Sequence, residues 1–294
     1  MSTSWYSTTL LDAVQRRARP GEYVPYGTLE AALAVCTPFD ADNLASTAYR
    51  HGRYHFAETA WLSAYTALAG NLGPEHPDAL AARESRANVL RELGRPAEAE
   101  SEHRAIAGIA ARVFGPEHPR ALSARSGRAF ALIRMGRPAE AEAEFRAVRD
   151  AASRALGPEH DVTMTSRHLH AIALHNLGRL AEAEAENRSV LAVWTGDLGA
   201  EDLGTLYSRG NLASVLYDTG RREEAQNEAS AILAIRTRVL GPEHPDTLHI
   251  RAFRASVLRE LERPAEAESE HRAIAGIAAR VFGPDHPQVL SARK

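Results

Sequence analysis

The chain has 294 residues, 44% hydrophobic and 25% charged, with a formal net charge of −3. These are ordinary values for a folded globular protein, and the balance offers no basic stripe for nucleic acid. Cys36 is the one cysteine and Lys294 the one lysine, which excludes an intrachain disulfide, a Gly-x-x-x-x-Gly-Lys-Ser/Thr phosphate loop and an enzyme built on an internal Schiff-base lysine.

Met1 to Thr9 lacks the basic-then-apolar order of a secretory signal, and no apolar run approaches the ~18–20 residues of a membrane span, so a cytoplasmic protein is the expectation. Residues 1–37 are expected to form an N-terminal helical cap. One helix runs through Leu11, Val14 and Ala18 to Pro20–Gly21, and a short one runs from Thr28 to Cys36.

After the cap the chain repeats. Leu-Gly-Pro-Glu-His-Pro at Leu72–Pro77 returns from Phe114, Leu156, Leu240 and Phe282, with a worn copy at Leu198, always 42 residues apart. A fixed period in the 20–50 range signals stacked repeats. Within a unit, Pro77 opens a helix, Leu80, Ala87, Leu90 and Leu93 share a face, and Gly94 ends it. Pro96 opens a second helix whose buried stripe is expected at Ala99, Ile106, Ala110 and Val113. The units are placed at about 38–77, 78–119, 120–161, 162–203, 204–245 and 246–287, with a partial seventh at 288–294, so that the array spans 38–294.

Two columns never vary: Ala45, Ala87, Ala129, Ala171, Ala213 and Ala255 in the first helices, and Ala57, Ala99, Ala141, Ala183, Ala225 and Ala267 in the second. Methyl groups there let helices approach to about 8–10 Å. Residues 95–125 and 263–293 differ at only three places, the mark of a duplication.

Gly-Arg-Pro-Ala-Glu-Ala at 94–99, the Ala columns and the aliphatic column Leu90, Leu132, Leu174, Leu216 and Leu258 resemble tetratricopeptide repeats. The 42-residue unit and its linking phrase look like the kinesin light chain-type subclass common in bacterial arrays, and the Lys-poor, Ala/Arg-rich bias looks like that of an actinobacterial genome. The sequence departs from the family at Arg83, Arg125, Arg167, Arg209 and Arg251, where the family has an aromatic, and at Glu262, which replaces a turn glycine.

The resemblance implies an all-α right-handed superhelical solenoid of about six helix pairs, with no cofactor, no metal and no catalysis. It implies a protein or peptide segment held in a concave groove lined by first helices. Carried onto this sequence, the groove positions are Phe39, Asp42, Asn43, Ser46 and Tyr49; Glu84, Asn88 and Arg91; Ser126, Phe130, Ile133 and Arg134; His168, Leu169, Ile172, His175 and Asn176; Tyr207, Asn211, Tyr217 and Asp218; and His249, Phe253 and Arg259. Phe130, Ile133, Leu169 and Ile172 are expected to form one apolar patch, or else to pack on each other. A regulator that changes pitch on binding a peptide signal is the alternative, and an enzyme accessory role a third.

Repeating residues are read as structural. His76, His118, His160, His244 and His286 would hydrogen-bond within the linking turns, since ligands spaced about a helix-pair width apart cannot share a metal. His168 and His175 share a helix face but lack the spacing of a metal pair. Glu98, Glu100, Glu102, Glu140, Glu142 and Glu144 are read as solvated faces or as partners of the Arg columns, and Arg53, Arg95, Arg137, Arg179, Arg221 and Arg263 as structural. The last second helix, about Pro264 to Phe282, has little to cover it, and weak end-to-end self-association is expected.

Overall fold

A computed structural model describes residues 37–50 and 53–282. The expected N-terminal cap and the partial seventh unit therefore lie outside the described residues, apart from Thr37. The described residues are all-α, twelve helices packed in sequential pairs. The chain divides into two compact units, Met1–Leu177 and Gly178–Lys294.

The first unit holds α1 (Pro38–Arg50), α2 (Tyr54–Leu72), α3 (Pro77–Glu92), α4 (Pro96–Phe114), α5 (Pro119–Arg134), α6 (Pro138–Leu156) and α7 (Asp161–Asn176). Each packs on the next, and the first helices α3, α5 and α7 also touch in succession. The second unit holds α8 (Leu180–Asp197), α9 (Leu203–Asp218), α10 (Arg222–Val239), α11 (Pro245–Glu260) and α12 (Pro264–Phe282), again each on the next.

Both alanine columns are buried throughout, as close helix packing demands. The stripe of α4 is buried at Ala99, Ile106 and Ala110, but Val113 is 42% exposed, because it falls in the last turn beyond the reach of neighbouring helices.

The linking phrase is a helix start. His76, His118, His160 and His244 are N-cap residues in extended backbone, and each Nδ1 accepts the backbone N–H two residues on at 3.1–3.2 Å. In the worn copy Asp202 takes the place, accepting from Gly204 and Thr205. His118→Ala is expected to cost about 1 kcal/mol in urea unfolding and His118→Asp to cost little or nothing; equal losses in the two variants would deny the cap.

The turn between paired helices is also uniform. Gly94 sits at φ 73° and the Arg95 N–H reaches the Leu90 carbonyl at 2.8 Å, the left-handed helix end that glycine allows. Glu262 adopts the same conformation at φ 58°, with an expected local cost of about 1 kcal/mol.

The carboxylates sort into three sets. Glu98, Glu140, Glu182, Glu224 and Glu266 receive two-pronged hydrogen bonds from the arginine three residues earlier, as with Arg95 to Glu98 at 2.6 and 2.7 Å. The Arg95 fork holds the Glu98 carboxyl below its ordinary value. Glu102, Glu144, Glu228 and Glu270 pair with Arg83, Arg125, Arg209 and Arg251, the arginines that stand where the family has an aromatic.

Glu100 and Glu142 correct the reading of solvated faces, being only 6% and 7% exposed. The next first helix lies over them, so that Arg128 reaches Glu100 at 3.2 Å and His170 reaches Glu142 at 3.2 Å.

Repeat junctions are matched in size. His103 of α4 is 0% exposed and lies against Gly127 of α5, where an added Cβ would come within 2.4 Å of the ring. One repeat on, Phe145 and Leu169 share a cluster, and in the second unit Ala229 and Phe253 share another. His103 with Gly127, and Phe253 with Ala229, thus pair a large side chain with a small one.

Candidate functional site

Positions that vary from repeat to repeat gather on the first helices. In the first unit, α3 and α5 form a cleft of about 430 Å³ lined by Glu84, Ser85, Asn88, Arg120 and Ser123, with Val162 of α7 at its edge. Ser123 Oγ donates to Glu84 at 3.0 Å. Burial lifts the Glu84 carboxyl above the usual range, against the opposing pull of Ser123 and of the Arg120 charge.

Arg91 closes one end of this surface. Its guanidinium donates to Asn88 Oδ1 at 2.7 Å and lies 4.4 Å from the centroid of the Phe130 ring. Burial pulls its pKa down from the ordinary arginine value. A positive charge is thus held beside an aromatic face and an amide, near an acidic cleft.

Phe130, Ile133 and Leu169 are half-buried and rest on one core cluster with Ala129, Leu132, Phe145 and Ala173. Ile172 is half-buried outside it, and Arg134 is exposed. Asn176 is exposed and donates to the Ile172 carbonyl at 2.8 Å. His168 is buried, and burial pushes its pKa down to about 4; His175 is half-buried. Tyr49 packs with Tyr54 and Trp61 in the cluster of the first helix pair.

In the second unit, Tyr207 is exposed, donates its hydroxyl to Asp246 at 2.5 Å and carries the Arg236 guanidinium over its ring. Tyr217 and Phe253 meet edge to face at 6.0 Å, both against the Leu212–Leu216 core. Asn211 is half-buried and Arg259 exposed.

The structure thus brings Asn88, Arg91 and Phe130 together, and sets Ile133 and Leu169 on the same core. Arg120 and Ser123 are cleft residues that the sequence pattern did not single out. Their one signal is that Ser123 differs from its counterparts Ala81, Thr165 and Tyr207 in the other units.

Among the described residues no group of three His, Cys, Asp or Glu is placed to hold a metal ion, and no helix is long and apolar enough to cross a membrane.

No curated protein matches the sequence. Among solved structures, the nearly identical TPR-like repeats of a Podosopora anserina kinesin light chain are 26% identical, covering 70% of this chain and 98% of that one, with a TM-score of 0.52. BtubC (BKLC) from P. vanneervenii is 18% identical over 80% of this chain and 93% of that one, with a TM-score of 0.57. A Rap protein complexed with competence and sporulation factor is 11% identical, covering 100% and 86%, with a TM-score of 0.59, a likeness of fold. Tetratricopeptide repeat profiles match residues 80–120, 120–196, 163–229 and 202–273. With that span matched and the paired helices in place, the chain belongs to the tetratricopeptide repeat family.

Proposed function

We propose that the chain is a non-catalytic scaffold that holds a peptide segment of a protein partner against the first-helix face of α3, α5 and α7. Tetratricopeptide repeats generally mediate protein–protein interactions, and stacked units offer a continuous surface for them. One observation carries the reading: the scaffold columns stay constant while the residues that vary converge on one cleft, Glu84 with Ser123 and Arg120, ending at Arg91 over Phe130.

An extended peptide would cross this face with backbone amides near Asn88, an acidic group near Arg91 and an apolar side chain near Phe130 and Ile172. The partly buried apolar residues supply anchors and the charged ones a rim.

Ile172→Asp separates docking from packing. The full chain and the variant are panned against a displayed random-peptide library while circular dichroism follows folding. The expected result is peptides that bind the wild-type chain at least about tenfold better than an equally folded variant, a loss of about 1.4 kcal/mol. Should Ile172→Asp unfold, Asn88→Ala with Arg134→Ala keeps the test open at less buried positions. Equal binding by folded variants, or no enrichment on the wild-type chain, sinks the proposal.

A further inference from the structure

Glu84 differs from the carboxylates of the helix paired with its own. On α4, Glu98, Glu100 and Glu102 each lie within 2.7 Å of an arginine nitrogen. Glu84, half-buried on α3, makes no ion pair, and its one side-chain hydrogen bond comes from a neutral donor, Ser123 Oγ at 3.0 Å. The Arg120 charge is close enough to favour the ionised carboxyl, yet burial opposes that charge more than Arg120 and Ser123 together support it. Glu84 is thus a partly desolvated anion with incomplete compensation.

Packing does not ask for a carboxylate here. The same register holds Asp42, Ser126, His168, Gly210 and Ala252 in the other first helices. What Glu84 faces is the cleft of about 430 Å³ between α3 and α5, space enough for one long side chain. An apolar or neutral occupant would strip away the remaining water and leave the carboxylate worse off, and an acidic one would repel it. A cationic occupant supplies the missing counter-charge where the surroundings screen it least.

We propose that the partner segment of the scaffold reading, on which this inference rests, places a lysine or arginine side chain in the cleft against Glu84, about three residues from the acidic residue that faces Arg91. The spacing follows from α3. Glu84 and Arg91 are seven residues apart, close to two full turns, so they share a face about 10 Å apart along the helix. An extended peptide covers that distance in about three residues. The first-helix face then selects a segment with both signs of charge at a fixed interval, and rejects one that is acidic throughout.

The full chain is panned against a displayed random-peptide library. A synthetic peptide from the selected set is then titrated, with its basic residue kept or replaced by glutamine, against the wild-type chain and Glu84→Gln. Glutamine still offers Ser123 an acceptor, and circular dichroism checks the fold. Should Glu84→Gln unfold, Glu84→Ala takes its place, since Ala252 holds the same register.

Selected peptides are expected to carry a basic and an acidic residue about three positions apart. Replacing the basic residue should weaken binding to the wild-type chain at least about tenfold, and to the Glu84 variant less than about twofold, the mark of a direct pair. Arg120→Ala should leave binding unchanged or tighten it, because it removes a like charge from beside the ligand cation. Selected peptides without a basic residue, or a replacement that costs the same on both proteins, overturn this inference and leave the scaffold reading standing. So does an Arg120→Ala chain that binds about tenfold more weakly, which would put an acidic group in the cleft. A library that yields no binder sinks both.

Discussion

Between pH 6.5 and 4.5 the first unit is expected to lose stability steeply, by about 3 kcal/mol per pH unit. Burial, helped by the Arg91 charge, pushes His103 from 6.5 down to about 3, and burial alone pushes His168 down to about 4. In the fold both imidazoles therefore stay neutral across that window, whereas in the unfolded chain they take up protons below about 6.5. The unfolded state then binds more protons, so stability rises with pH there and falls on acidification, about 1.4 kcal/mol per pH unit for each histidine.

For His103 alone the loss is complete near pH 3 and amounts to about 5 kcal/mol, a large part of the stability of an ordinary domain. The surface pairs act elsewhere: Glu98, Glu140 and Glu224 have carboxyls held below 4.5 by their arginines, and that contribution fades only as pH falls through those lowered values. Urea midpoints at pH 7, 6 and 5 measure the slope. His103→Asn keeps a polar side chain of similar size, as Asn187 does at the same register, and should roughly halve it. An unchanged slope would mean that His103 is not held neutral.

Ala129→Leu is expected to cost about 1–3 kcal/mol, while Ala143→Leu stays within about 0.5 kcal/mol of the parent. Ala129 is fully buried in the cluster with Leu132, Ala141, Phe145 and Ala173, and three added carbons have no space there. Ala143 is exposed on α6, two residues from the buried Ala141 of the same helix. The chemical change is the same in both, so their difference in urea midpoint isolates packing. Similar midpoints would mean that the constant alanines are not close helix contacts.

The period and the alanine columns made the helix pairs readable before any coordinates, because both repeat and repetition averages away accident. Glu142 was misread for the same reason. A repeating glutamate on a helix looks solvated when one unit is considered alone, and its burial arises from the helix of the next unit. Phe130, Ile133 and Leu169 were legible as apolar residues that vary between first helices, but that they also rest on the cluster around Phe145 comes from the helices packed beside them. The loop histidines were legible as turn formers because one acceptor at a helix start explains their spacing. The choice of Nδ1 as that acceptor needed the backbone geometry.

The matched junctions bear on how such a chain grows. If His103 tolerates only Gly127, and Phe253 sits with Ala229, then a helix pair cut out and pasted elsewhere arrives with the wrong neighbour on both sides. The cassette that keeps its fit is instead a second helix together with the first helix that follows it, at least as far as the facing residue, as Gly127 faces His103. Recombination that respects the seam rather than the pair conserves fit, so lineages of such arrays should show breakpoints inside first helices, where a structural parser would least think to cut.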